Sequence, residues 1–588
     1  MSESRLGIAL SGGGFRAALF HIGVLARMAE LGLLRGVEAI STVSGGSIIG
    51  ALYYLHVKRL LESKPDAQIT DADYIEIVRR IEVDFPRAVQ TNFRMRTFLD
   101  PLKTLRMALP NYSRSDRIAE LFDRDLYRPV LDPQGTRATP IEMRELKIEP
   151  KGGPAGFHPL KHNAGRNAKA PVLLINATTL NGGHNWRFEA ARMGEPPNDS
   201  ATELDLDSNL RLVRADDYAG IVAVQETFEL GHAVAASAAV PGLFVPMSVS
   251  DMYGASDGAV RVQLVDGGVY DNQGMRALVD PSQLPCTHIV VSDASAQLGD
   301  RAHPETGAGA VILRANDILM EQVRRDELID LKQEFGNRAA VVHLRRGLPP
   351  RVVSYNDTEG KPAPLPAGSP LEGLVPTTAR FGIHPEVQQR ISRIRTDLDS
   401  FTDIEAWSLM YDAYRMSESE LAVLATDFGR APATKAGVEW VFSGIKDWMA
   451  PDATPDASYL KHLDVASERF LKVFRLSWTT TVVTVAFLVV LAMQAWEHWG
   501  SVVMAYLDSS ITYRALLITV ATMAIGALLP KLGQAFQVFR FLRNPVLMVY
   551  QGLGLGVAAL VGGLVVGLHL LVFDRLFLRL GQARRLKK

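Results

Sequence analysis

Residues 6–52 read LGIALSGGGFRAALFHIGVLARMAELGLLRGVEAISTVSGGSIIGAL, and this stretch decides the fold. The apolar run 6–10 stops at Ser11-Gly12-Gly13-Gly14, as a buried strand ended by glycines does. Residues 15–34 place apolar side chains at helical spacing, and their Ala, Leu, Met and Glu are good helix formers. VEAISTV then reads as a second strand, and SGGSIIGALYYLHVKRLL as a second helix. A strand, a glycine turn and a helix thus follow one another twice, which predicts a parallel sheet flanked by helices.

Working outward, further buried-strand candidates are 171–179, 262–268, 288–294 and 339–344. A polar and basic insertion, 60–165, separates the second helix from the third strand. Its part from 85 to 117 interleaves Phe, Leu and Met with Arg and Lys, suiting either a membrane contact or a helical cap over a cleft. The expected organisation is a catalytic domain over 1–345, a linker and helical extension over 346–470, and a membrane region over 471–588. The stretch 348–375 is rich in Pro and Gly, and 384–430 is helical in pattern.

The chain has 588 residues, 47% hydrophobic and 22% charged, with a formal net charge of −1. That balance argues against nucleic-acid binding through a strongly basic surface. The one cysteine, Cys286, excludes an intrachain disulfide and any cysteine cluster for zinc. No metal or cofactor site is expected. The amino terminus lacks a basic region followed by an apolar run, so no secretory signal is expected and the bulk of the chain is placed in the cytosol.

Three elements carry chemistry. In Ser41-Thr42-Val43-Ser44-Gly45-Gly46, a serine stands at a strand-to-helix turn, where its hydroxyl projects above the sheet edge. The usual G-x-S-x-G has glycine where this chain has Thr42; only the Ser44-x-Gly46 half is kept. In Ser11-Gly12-Gly13-Gly14-Phe15-Arg16, successive amides at a helix start can face an anion. That anion is an oxyanion or a nucleotide phosphate, but no G-K-[ST] follows and the third glycine of G-x-G-x-x-G is missing. Arg16 suits an oxyanion or a phosphate headgroup, or is simply an exposed arginine at a helix start. In Val265-Asp266-Gly267-Gly268, an apolar run delivers a carboxylate at its end. His21, His232 and His288 have no comparable setting, so Asp266 is the best-placed base.

These elements occur in the order seen in patatin-like phospholipases. SGGGFRAALFHIGVL resembles that family's glycine-rich oxyanion segment, and ISTVSGGSIIGAL its nucleophile elbow. INATTLNGG (175–183), ASAAVPGLFVP (236–246) and VDGGVYDNQG (265–274) resemble its internal strand, Ser-Ala-x-x-Pro and Asp-Gly-Gly segments. The resemblance spans residues 6 to about 345. It implies a three-layer α/β/α domain with Ser44 as nucleophile and Asp266 as base. Gly12, Gly13 and Gly14 would supply oxyanion amides with help from Arg16, Thr42 and Gly46 would form the elbow, and Gly267 and Gly268 would follow the catalytic aspartate. Thr42 is the departure that puts the elbow geometry in question. RIRTDLDSFTDIEAWSLMYDAYRM (393–416) is reminiscent of segments after the core in some bacterial members, without assignable chemistry.

Leu476–Trp496 is an uncharged stretch of 21 residues, long enough for a bilayer core. Ala515–Pro530 is a shorter candidate span. Val546–Phe573 lacks Asp, Glu, Lys and Arg and carries several glycines, so it either spans or re-enters, and the basic tail favours re-entry. The expectation is an integral membrane protein with its catalytic domain facing the cytosol, acting on a phospholipid or other acyl lipid. The alternatives are a catalytically silent membrane scaffold and an esterase or thioesterase for a soluble acyl substrate.

Overall fold

The structure, a computed structural model, describes residues 4–586 except 110, 198–206, 256–257, 281–284, 296–297, 372, 376–377, 431–437 and 509–544. Its centre is a nine-stranded sheet. The strands are β1 (Leu6–Leu10), β2 (Val37–Val43), β3 (Val172–Thr179), β4 (Asn185–Phe188), β5 (Met193–Gly194), β6 (Met247–Ala255), β7 (Gly258–Asp266), β8 (His288–Asp293) and β9 (Ala339–His343). They run in the order β5-β4-β3-β2-β1-β8-β9, with β7 pairing β3 and β6.

Strands β3, β2, β1, β8 and β9 are mutually parallel. Helices α1 (Gly14–Glu30) and α2 (Gly45–Ser63) follow β1 and β2 as the glycine turns foretell. The sheet is nonetheless mixed rather than wholly parallel, because β4 and β7 join β3 antiparallel. For β4 the reason is local: a short connection from Thr179 to Asn185 joins it to β3, and such a turn needs no crossover helix.

Side chains alternate along the parallel strands and build two cores. Ile8, Ile40, Ile175, Val290 and Val342 enter the large core beneath α1, α2 and α3 (Asp71–Val89). Ala9, Ala39, Leu174, Ile289 and Val341 enter a smaller one on the other face, closed by Met275, Leu278, Leu331 and Phe335. These are the two helix–sheet interfaces of a three-layer α/β/α domain. The large core does not stop at residue 345. Ile383, Ile394, Leu409, Met410 and Phe442 belong to it, and the Asp403–Asp427 helix lies along α1 so closely that a Cβ at Gly23 would strike the Met410 carbonyl.

Among the described residues two helical stretches are long and apolar enough to cross a membrane, over Trp478–His498 and Ala558–Leu580. The first has no part of its window buried in the protein and the second about a fifth, 22%. Val482, Phe487, Val490 and Leu564 are exposed. The expected span at Ala515–Pro530 lies outside the described residues.

Candidate active site

One edge of β3 carries two strands end to end. β2 runs up it beside residues 172–176, and β7 comes down it beside residues 177–179, while β4 occupies the opposite edge. The tips of β2 and β7 therefore meet head to head, and those tips are Val43–Ser44 and Asp266. This arrangement brings together two residues far apart in sequence.

At the tip of β2 the chain turns sharply into α2. Ser44 has φ +51 and ψ −115, a conformation that is costly for a residue with a Cβ. The surroundings hold it there. The Ser44 N–H donates to Ser237 Oγ at 2.9 Å, and Ser237 in turn donates to the Asn176 carbonyl at 2.6 Å. Ser47 Oγ lies 2.8 Å from Ser237 Oγ and 2.9 Å from Thr42 Oγ1. Thr42, the departure from the glycine pattern, is accommodated: its hydroxyl donates to the Leu174 carbonyl at 3.1 Å and its methyl lies over Gly50. The space is available because it is Gly50 that lacks a side chain.

Asp266 is 6% exposed and Ser44 5%. The carboxylate accepts the Gly268 N–H at 2.8 Å on Oδ1 and interacts with the Ser44 hydroxyl. Burial pushes its pKa up to about 6, against the lowering effects of the Gly268 amide and the Ser44 hydroxyl. The group is therefore ionised at neutral pH yet more basic than a solvated aspartate, as a proton acceptor needs.

The glycine loop after β1 lies against this turn. Gly13 and Gly14 have φ +135 and +58, which favour glycine. Gly45 packs so closely on Gly14 that a Cβ there would collide with it, and the Gly46 N–H donates to the Ser11 carbonyl at 3.1 Å. Among the described residues no partner is present for the Gly13 or Gly14 N–H groups. The Gly12 N–H differs: it donates to the Asn272 carbonyl at 3.0 Å, so of the three glycines two, not three, present free amides.

Arg16 does not serve the site as expected. It is 4% exposed, and its guanidinium donates to the Ala294 carbonyl (3.2 and 2.7 Å) and the Ile394 carbonyl (3.0 Å). Its donors tie α1 to two distant segments. The segment 394–400 also walls the glycine loop: the Phe15 N–H donates to the Asp397 carbonyl at 3.0 Å, and Gly14 rests on the Asp397 backbone. Two site residues escaped the sequence reading. Ser237 lay within the quoted ASAAVPGLFVP, and Asn272, whose side chain stands between Gly12 and Gly268, lay within VDGGVYDNQG. Only the reuse of those segments in a family signalled them.

The histidines are elsewhere. His21 is buried between Ser292 Oγ (2.6 Å) and the Ser11 carbonyl (3.0 Å), and burial lowers its pKa to about 4. His232 resists the effect of its own burial because Asp116 and Glu229 flank it; these raise its pKa to about 9, leaving it charged and useless as a base. Among the described residues no group of three or more His, Cys, Asp or Glu side chains is placed to hold a metal ion.

The 85–117 insertion packs at this end of the sheet. Its basic side chains are mostly neutralised from within: Arg96 with Asp125 (2.6 Å), Lys103 and Arg117 both with Glu120 (2.8 Å each), and Arg94 with Asp397. Phe85 and Phe93 are buried against Phe15.

Ser44, at φ +51, thus faces the buried Asp266 beside the glycine loop, at the edge of a mixed α/β/α sheet. Residues 8–279 match the family Patatin: Patatin-like phospholipase, so the chain contains a patatin-like phospholipase domain. Among solved structures it is similar to human GIVD cytosolic phospholipase A2, at 12% identity and a TM-score of 0.37, covering 72% of this chain and 62% of that one. It is also similar to VipD from Legionella pneumophila, at 12% identity and a TM-score of 0.23, covering 100% and 94%. The match thus spans less than two thirds of the phospholipase A2. No curated protein gives a significant sequence match.

Proposed function

We propose that this protein is a membrane-anchored serine lipid acyl hydrolase, of phospholipase A or lysophospholipase type, working with a Ser44–Asp266 dyad. One observation carries the reading: Ser44, held at φ +51, presents its hydroxyl to a buried carboxylate whose pKa is about 6. Asp266 takes the proton as Ser44 attacks the ester carbonyl. The oxyanion forms against the Gly13 and Gly14 amides, which need no reorganisation to receive it. Asp266 returns the proton to the departing alcohol or lysolipid. Water, deprotonated by the same carboxylate, then releases the fatty acid from the acyl-enzyme. The apolar helices at 478–498 and 558–580 supply the anchor, with the catalytic domain on the cytosolic side. A tether of this kind raises the effective concentration of enzyme at a substrate already in the bilayer.

The test is labelling of the full chain by a fluorophosphonate probe, with product analysis on a mixed lipid extract. Ser44→Ala and Asp266→Asn should each abolish labelling and fatty-acid release while the protein stays folded, and the double variant should be no worse than either. Full hydrolysis by a folded Ser44→Ala variant would overturn the assignment and favour a silent scaffold.

A further inference from the structure

The helix Ala308–Phe335 has a half with no buried residue, tied to the rest of the chain by the Arg314 guanidinium, which donates to the Gly299 carbonyl at 2.6 Å. Its carboxyl half belongs to the fold: Leu331 and Phe335 enter the smaller core, and Arg324 donates to Asp293, the last residue of β8, at 2.9 Å. Arg324 therefore marks the carboxyl edge of the sheet, the edge that carries Ser44. The helix starts beyond that edge. Residues 308–323 project past it by sixteen residues, roughly 24 Å at about 1.5 Å per residue.

None of these sixteen residues is buried. Ile312, Leu313 and Leu319 are 69%, 65% and 66% exposed, and Val311 and Ile318 are about half exposed. Between 308 and 323 the charged residues are Arg314, Asp317 and Glu321 alone. A helix so apolar and so bare is unfavourable in water.

The rest of that edge says what covers it. Asp574, inside the C-terminal apolar helical stretch, bonds to Asn92 and Ser400 beside the glycine loop. The helix Pro545–Leu568 packs on the insertion, with Gly563 against Pro101 and Gly567 against Leu99. The membrane helices thus attach at the same edge past which the 308–323 segment projects. Leu243 and Val245, on the loop beside Asp266, are also more than half exposed.

We propose that residues 308–323 form an interfacial helix that lies in the bilayer surface beside the catalytic edge, so that the domain meets lipid on both sides of Ser44. This rests on the membrane-anchored reading above. With no excess of basic residues, the contact is apolar and indifferent to salt, unlike one made through paired headgroup charges.

The full chain, reconstituted in vesicles, tests it. Cys286 is buried, so single cysteines placed by Ile312→Cys, Leu319→Cys, Gln333→Cys and Leu488→Cys can carry an environment-sensitive fluorophore. Vesicles with brominated acyl chains should quench labels at 312, 319 and 488, and leave 333 unquenched, at low and high salt alike. Labels at 312 and 319 as unquenched as 333, with 488 quenched, would overturn the proposal while leaving the anchor intact. An unquenched 488 would instead remove the membrane reading beneath it. Labels at 312 and 319 shielded from aqueous iodide but unquenched by lipid would mean a second copy or another protein covers the helix, and would also overturn it. A paired Ile312→Glu, Leu319→Glu variant should lose about tenfold or more on vesicle lipid and keep its rate on a water-soluble ester. Equal losses on both substrates would make the segment structural only.

Discussion

Ser237 Oγ accepts the backbone N–H of Ser44 at 2.9 Å and passes a hydrogen bond on to the Asn176 carbonyl at 2.6 Å. One side chain thus ties the turn after β2 to β3, the strand on which β7 also rests. Ser237→Ala removes that tie and leaves a buried N–H and a buried carbonyl without partners. A stability loss of about 1–3 kcal/mol is expected, with slower fluorophosphonate labelling and a fall in kcat rather than a rise in KM. Thermal unfolding and steady-state kinetics check both.

The glycine loop and Arg16 should separate cleanly. Gly13→Ala puts a methyl group where φ is +135, beside an amide assigned to the oxyanion. A rate loss on the order of 10²–10³ is expected, as for one lost oxyanion donor. Arg16→Ala should instead lower stability, by leaving the Ala294 and Ile394 carbonyls unpaired, while the folded fraction keeps most of its kcat. Active-site titration with the fluorophosphonate, alongside kcat, distinguishes lost turnover from lost folded protein.

Asp266 makes two pH predictions. With a pKa of about 6 in the folded protein, kcat/KM should fall as pH drops below about 6, where the carboxylate takes up a proton. For stability the sign is opposite. The folded value lies above the unfolded 3.8, so the folded state binds this proton more tightly. That contribution is complete below pH 3.8 and is lost as pH rises through about 6, on the order of 3 kcal/mol. Asp266→Asn, inactive, should therefore unfold at a higher temperature than the parent at pH 8, and the gap should close toward pH 4.

The buried ion cluster behind the glycine loop should be intolerant. Arg395 pairs with Asp399 (2.8 Å) and with Glu405, and Lys472 reaches Asp399 at 2.6 Å. Arg395→Ala strands the buried Glu405 carboxylate and leaves Asp399 to Lys472, for which about 3–5 kcal/mol is expected. A variant unfolding within a degree or two of the parent would contradict it.

Much of this was legible in residues 6–52, because the strand–glycine–helix repeat is local and its apolar spacing is strong. Ser44 and Asp266 stood at the ends of apolar runs that became β2 and β7. What sequence could not show was contact. Arg16 looked like an anion binder because its acceptors, Ala294 and Ile394, are remote in the chain. Ser237 and Asn272 looked like loop residues for the same reason. The antiparallel approach of β7 was hidden because β6, with Asp251 at φ +62 and a register break between Val249 and Tyr253, lacks a clean alternation. The helix at 308–335 was missed because the apolar residues of its first half, Val311, Ile312, Ile318 and Leu319, face solvent rather than the core that strand and helix patterns announce.

The segment 394–400 has two attachments. On one side its backbone receives Phe15 and Arg16 and supports Gly14; on the other, Asp399 and Ser400 hold Lys472 at the foot of the first long apolar helix and Asp574 in the last apolar helical stretch. Ser44 and Asp266, by contrast, stand on the tips of β2 and β7, with Ser237 holding the Ser44 N–H. A displacement of either apolar helix is therefore delivered to the ground under the glycine loop before it reaches Ser44 and Asp266. The glycine loop and the Ser44–Asp266 pair stand on separate footings, and only the first is joined to the apolar helices.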